Sequence, residues 1–240
     1  NASKADDAAA VELAANIQKH GVAQAVVDGV FNGMIHGMAH KTPTVRKNWL
    51  TAFKAVVESA TPAVIPHLLA VLPTALACGG DKNAACKATA LESTKAFGCT
   101  VPAEAMAAIV PVVLKGVTSY HDPTKLVSLG MLENITKAAP EQLSVYLPEV
   151  VPTVVELVHD LNPKVSSAAT AALAASAATL SNKDVEPFIP ALLAGLEDPS
   201  AATTCVHKLA ATTFVQQISA PVLALMEPVL MRGFAANKTA

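Results

Sequence analysis

An all-α fold, an α-solenoid of about six stacked helical hairpins, follows from three features of the sequence. Apolar residues fill 52 % of the 240 positions but aromatics only 4 %, so the core must be built from thin layers of small and aliphatic side chains. No stretch alternates apolar and polar residues with period two, which excludes half-buried strands. A proline-centred phrase also returns along the chain: VIPHLL around Pro66, IVPVVL around Pro111, VVPTVV around Pro152, FIPALL around Pro190 and MEPVLM around Pro228. Successive prolines lie 45, 41, 38 and 38 residues apart. Helical-hairpin repeats of the HEAT and armadillo type have periods of about 40 residues. Single hairpins cannot cover their own apolar faces, so they stack into one core. The expectation is a single array over residues 1–240, a right-handed superhelix of HEAT-type hairpins at roughly 6–39, 43–78, 82–118, 123–159, 163–196 and 200–236.

Each phrase falls in the second helix of a hairpin, and an earlier proline opens that helix: Pro62, Pro102, Pro148, Pro187 and Pro221. Proline is tolerated in a first turn because its missing N–H would lack an intrahelical partner there. First helices open differently, with a small polar residue before or at the start and then a proline. Thr42-Pro43 leads into Val45, Trp49, Phe53 and Val56 at helical spacing. Asn162-Pro163 leads through Ala169, Leu173 and Ala177, and Asp122-Pro123 and Asp198-Pro199 mark the same junction. The predicted helices are 6–19, 21–39, 43–59, 62–78, 82–97, 102–118, 123–138, 143–159, 163–180, 184–196, 200–218 and 221–236, with 1–5 and 237–240 frayed. Trp49, Phe188, Leu192 and Phe214 are the expected core anchors.

Composition narrows the function. With 17 basic against 19 acidic residues the net charge is −2, which argues against binding nucleic acid over the whole surface and leaves room for a local basic patch. Cys78, Cys86, Cys99 and Cys205 form no C-x-x-C pair and read as small buried apolar residues in a reducing compartment. Of the sequons at Asn1, Asn134 and Asn237, Asn134 lies inside a predicted helix, a poor acceptor position. Residues 61–78 are apolar enough to suggest a membrane span, but Pro62, Pro66, Pro73 and His67 point to a buried core helix. The opening Asn1, in place of Met, points to a processed protein or a piece of a longer one.

A search for chemistry returns little. There is no phosphate-binding P-loop and no G-x-S-x-G elbow. His36 and His40 have zinc-ligand spacing without the companion glutamate; His20, His67, His121, His159 and His207 are scattered, with His121 and His159 near expected helix C-termini. Glu133, Glu141, Glu149, Glu156, Glu186 and Glu197 fall on different helices. No catalytic residue, metal or cofactor is therefore expected. The most cationic stretch is Lys41, Arg46, Lys47 and Lys54, a candidate for contact with an acidic partner or a phosphate backbone, the alternative being a solvated face. Lys82, Lys87 and Lys95 form a thinner cluster.

The C-terminal third carries more specific residues. The run Asn182-Lys183-Asp184-Val185-Glu186-Pro187-Phe188-Ile189-Pro190-Ala191-Leu192 resembles the HEAT region of translation elongation factor 3. So do Leu209-Ala210-Ala211-Thr212-Thr213-Phe214-Val215 and Pro228-Val229-Leu230-Met231-Arg232-Gly233. The resemblance is clear over residues 140–240 and fades to general repeat similarity before them. It implies a ribosome-binding array from an ABC-F type ATPase family, in which two ATP-binding cassettes follow the repeats and help clear the exit-site tRNA. Neither cassette is in this sequence, so the chain by itself is expected to be non-catalytic. The implied partners are other proteins in a large assembly, with the ribosome or its RNA among them, and the implied location is the cytoplasm. The alternative expectation is a stand-alone linker subunit of an organellar or membrane-associated complex, for example in a plastid stroma after removal of a targeting peptide.

Overall fold

The computed structural model describes residues 2–23, 29–100 and 102–236. Among the described residues it holds thirteen α-helices and no strand. The chain divides into two compact units, residues 1–134 and residues 135–240.

The first unit contains α1 (Ala2–His20), α2 (Val30–Met38), α3 (Pro43–Glu58), α4 (Ile65–Ala77), α5 (Ala84–Thr100), α6 (Met106–Val117) and most of α7 (Asp122–Ala138). First helices stack on first helices: α1 on α3, and α3 on α5. Second helices do the same, α2 on α4 and α4 on α6. This two-layer pattern is the neighbour-to-neighbour stacking of a solenoid. Each layer has an aromatic tie between successive repeats. Phe53 stacks on Phe97 with centroids 6.1 Å apart, and Phe31 stacks on His67 at 4.9 Å. Leu50, Phe53, Leu68, Leu72, Leu76, Ile109 and Val113 fill the space between the layers and are all buried. The apolar run 61–78 therefore serves as the core of α4, and no single helix among the described residues is long and apolar enough to cross a membrane.

The second unit contains the last turn of α7, then α8 (Pro140–Val145), α9 (Leu147–Val155), α10 (Pro163–Ala177), α11 (Ile189–Glu197), α12 (Pro199–Ala210) and α13 (Ala220–Ala236). Helices α9 to α13 pack in sequence order, but α13 also lies against α11 and α9. This fold-back departs from neighbour-only stacking. Val150, Val154, Leu173, Leu192 and Val229 form its buried centre.

The prolines act differently from the expectation. Of the five prolines expected to open second helices, Pro148 and Pro221 sit in the first turn of their α-helices. Pro62 and Pro187 lie in tight turns ahead of α4 and α11, and Pro102 precedes the short 3₁₀ turn Ala103–Ala105 before α6. Pro66 has no N–H to give the carbonyl of Pro62, so that carbonyl accepts from the Ile65 N–H instead and the turn tightens. Pro148 likewise denies a donor to Ser144, and the helix expected over 143–159 breaks at Tyr146 into α8 and α9, with a 3₁₀ segment at Glu156–His159.

Other expectations are corrected too. The helix predicted to reach residue 218 ends at Ala210, because Thr212, Thr213 and Val215 are poor helix formers and the loop that follows has its own tethers, described below. The helix expected over 21–39 is present as Val30–Met38 behind Gly29, whose φ of 68° breaks helical geometry; residues 24–28 lie outside the described residues. Residues 2–5 are helical rather than frayed, whereas the fraying expected at residues 1 and 237–240, and the sequons at Asn1 and Asn237, fall outside the described residues. Leu192 is buried, but Trp49, Phe188 and Phe214 are only half-buried. Cys78, Cys86 and Cys205 are buried, whereas Cys99 is exposed at the end of α5. His121 lies at the head of α7, not at a C-terminus, and its carbonyl accepts the Thr124 and Lys125 N–H groups.

Candidate partner-binding surface

The four candidate cations lie on the first-helix layer of the first unit. Lys41 is in the loop before α3, Arg46 and Lys47 are in the first two turns of that helix, and Lys54 is farther along it. Pro43 starts α3 without a side-chain cap from Thr42. Arg46 supplies the local anchoring instead. Its Nη1 donates to the carbonyls of His40 and Lys41 at 2.8 and 2.9 Å. Its Nε and Nη2 grip both carboxylate oxygens of Asp81 at 2.6 and 2.8 Å. Asp81 sits in the next inter-repeat loop, so one guanidinium braces two successive loops. The fork geometry needs arginine specifically. With the Asp81 side chain 6 % exposed and that of Arg46 17 %, this is a part-buried clamp.

The electrostatics agree with that role. Hydrogen bonding to Arg46 is the main cause holding the Asp81 carboxyl below its ordinary range, against the opposing effect of desolvation. The Asp81 hydrogen bond in turn raises the Arg46 value. Burial pushes the neighbouring Cys78 thiol up to about 11, and Cys86 also shifts upward for the same first cause, so both stay protonated at neutral pH. Lys54 pairs with Glu92 of α5 at 3.0 Å. Lys41 is exposed and Lys47 half-buried, and neither joins an ion pair among the described residues. The His40 Nδ1 accepts the Thr42 N–H at 3.0 Å.

The partners Asp81 and Glu92 were not picked out from the sequence, although a signal was there. Arg46 and Asp81 are 35 residues apart, and Lys54 and Glu92 are 38 apart, each close to one repeat period. Asp81 also opens an Asp-x-Asn turn. Its Oδ1 accepts the Asn83 N–H, and Asn83 Oδ1 then accepts from Ala85 and Cys86 at the head of α5. Asp160 and Asn162 repeat the device before α10.

In the second unit the motif residues turn out to be tethers. Asp184 Oδ2 accepts the N–H groups of Val215 and Gln216, both at 2.6 Å. Gln216 Oε1 takes the Lys183 N–H at 2.9 Å, and Asn182 Nδ2 reaches the Gln217 carbonyl. Arg232 donates to the carbonyls of Gly195 and Leu196, capping the C-terminal end of α11. At Gly233 any Cβ would come within 2.6 Å of Val206, so glycine lets α13 close on α12. The residues that carry the resemblance thus hold a loop and a helix end in the second unit.

Stacked helical hairpins joined by side-chain clamps one repeat apart define a HEAT-type helical-repeat protein. The chain belongs to the elongation factor 3 family: residues 6–173 match the family described as EF3 N-terminal HEAT repeat, and residues 200–240 match the Elongation factor 3/GNC1 HEAT repeat. The family match thus begins far earlier than residue 140, where the resemblance was expected to fade. Elongation factor 3 of Gonapodya prolifera is 31 % identical over 100 % of this chain and 22 % of its own length. That of Phytophthora infestans is 35 % identical over 72 % of this chain and 17 % of its own. Elongation factor 3B of Saccharomyces cerevisiae is 31 % identical over 78 % and 18 %. The chain spans about a fifth of the length of these relatives. Among solved structures, a designed armadillo repeat protein aligns with a TM-score of 0.45 at 16 % identity, covering 95 % of this chain and 92 % of that one.

Proposed function

We propose that this chain is a non-catalytic scaffold that binds other proteins and contacts the ribosome, working in the cytoplasm. The observation that carries the reading is the membership of the elongation factor 3 repeat family, and a local charge imbalance supports it. Residues 39–100 hold seven basic and three acidic residues in a chain whose net charge is −2. Asp81 and Glu92 are already held by Arg46 and Lys54. In this reading Arg46 and Lys54 shape the surface, while Lys41 and Lys47 reach the partner. Lysines on a phosphate backbone release counterions, so binding must weaken as salt rises.

Co-sedimentation of the chain with purified ribosomes across a salt series tests this. The expected result is salt-sensitive pelleting, with Lys41→Glu/Lys47→Glu lowering the salt slope by about one per lost phosphate contact. Absence of pelleting at low salt, or a double variant that pellets like the wild type, overturns the reading.

A further inference from the structure

In the second unit, the turn that follows α10 and the loop that leads into α13 enclose a cavity of about 370 Å³. That volume falls in the range of small-ligand pockets. Its polar lining comes from Ser144 of α8, from Thr179, Ser181 and Asn182 of the turn, and from Gln216, Gln217 and Ser219 of the loop. Leu180, Pro221 and Val222 supply the apolar part. No charged side chain lines it, although Lys183 and Asp184 follow Asn182 directly in the chain.

The two sides of the cavity are tied to each other. Asp184 holds the Val215 and Gln216 amides, Gln216 Oε1 takes the Lys183 N–H, and Asn182, 8 % exposed, reaches the Gln217 carbonyl. Asn182 Oδ1 is occupied as well, by the Asp184 and Val185 N–H groups. Other hydrogen-bonding groups stay open. The Ser144 and Thr179 hydroxyls donate to the carbonyls of Glu141 and Ser176, which leaves their oxygens as acceptors. The Ser181 and Ser219 hydroxyls and the Gln217 side-chain amide make no hydrogen bond among the described residues, and they offer both donors and acceptors.

This inventory selects a class of ligand. A carboxylate, phosphate or ammonium group finds no countercharge in the lining, and removing a charge from water without one is costly. A nucleobase finds no aromatic ring to stack on. A peptide group matches, because its C=O accepts from the free hydroxyl and amide donors while its N–H donates to the free oxygens. Val145 and Val215, next in the chain to Ser144 and Gln216, are 67 % and 87 % exposed and offer contact to apolar side chains of the same ligand.

We propose that this cavity binds a short uncharged segment of a partner protein through its main-chain amides. The assignment rests on the second unit and does not involve Lys41 or Lys47, so it and ribosome binding fail separately. The probes are three capped tripeptides, acetyl-Val-Gln-Val-N-methylamide and the same peptide with Glu or with Lys in place of Gln. Each is titrated into the full isotope-labelled chain and followed by amide chemical shifts. The Gln peptide is expected to give saturable shifts at the Ser181, Gln217 and Ser219 amides and to bind at least fivefold tighter than either charged peptide. Ser181→Arg, at an exposed position, should weaken it at least tenfold with an unchanged unfolding midpoint. Lys41→Glu/Lys47→Glu should leave it unaltered. Absence of saturable shifts at those amides overturns the proposal, as do equal affinities for the three peptides or a Gln peptide indifferent to Ser181→Arg. Trehalose or inorganic phosphate that shifts the same amides more tightly than the Gln peptide also overturns it.

Discussion

At Gly37 a single missing methyl group sets how closely two helices meet. A Cβ there would lie 1.9 Å from the Trp49 ring, and Gly33, one turn earlier, faces the same indole at 3.3 Å. Trp49 is thus half-buried because it lies flat over a glycine groove on α2, which hydrophobicity alone did not reveal. Gly37→Ala is expected to destabilise by about 1–3 kcal/mol through overpacking. Gly130→Ala, which meets nothing within 4 Å, should be neutral or stabilise by up to about 1 kcal/mol. Urea unfolding of both variants checks the contrast. Leu192→Ala should cost about 2–5 kcal/mol, since the side chain is 0 % exposed and its loss leaves a cavity. Half-buried Phe188 and Phe214 should cost less on truncation than Leu192. Cysteines offer a separate readout: a maleimide should label Cys99 at once, and Cys78, Cys86 and Cys205 only on unfolding, because they are buried and burial raises their values. Rapid labelling of more than one thiol in the native protein would contradict this.

At the scale of helices and turns, the sequence was legible wherever one periodicity ruled. The prolines that open α3, α10 and α12 could be read directly. Helix starts behind paired prolines could not, because the effect of Pro66 on Pro62 is a missing donor rather than a propensity. The candidate site was half legible. Its cations are visible as a charge run, but Arg46 and Lys54 are claimed by carboxylates one repeat away, which a linear reading overlooks. The clamp predicts a pH response. Because Arg46 depresses the Asp81 value, the pair stabilises fully above the unfolded carboxylate range, about pH 4, and this is lost as pH falls through the lower folded value. Asp81→Asn should therefore flatten the acid limb of the stability curve and leave its neutral plateau lower. Asp184→Ala should speed hydrogen exchange at the Val215 and Gln216 amides while α12 and α13 keep their protection. Unchanged exchange there would mean the tether is not what orders that loop.

Across the molecule, the two units illustrate two ways of closing a repeat core. In the first, α3 touches both α1 and α5, so stability couples between nearest neighbours. Phe53→Ala, with Phe53 fully buried and stacked on Phe97, should cost about 3–5 kcal/mol. Hydrogen exchange should show protection falling in α1 and α5 together, and loss confined to α3 would disprove that coupling. In the second unit α13 reaches past α11 to α9, a closure that no period of 38 residues foretells, since it joins repeats that are not adjacent.

The paired prolines also bear on what the chain cannot become. In an alanine-rich sequence the cheapest misfold is a long continuous rod, with neighbouring helices fused across their connecting turn. Pro62 and Pro66 withhold two consecutive-turn donors just where α3 would run on into α4, and Pro148 and Pro152 do the same within α9, just where α8 would run on into it. Each pair is a molecular full stop, and it keeps a composition that favours endless helix divided into pieces short enough to pair.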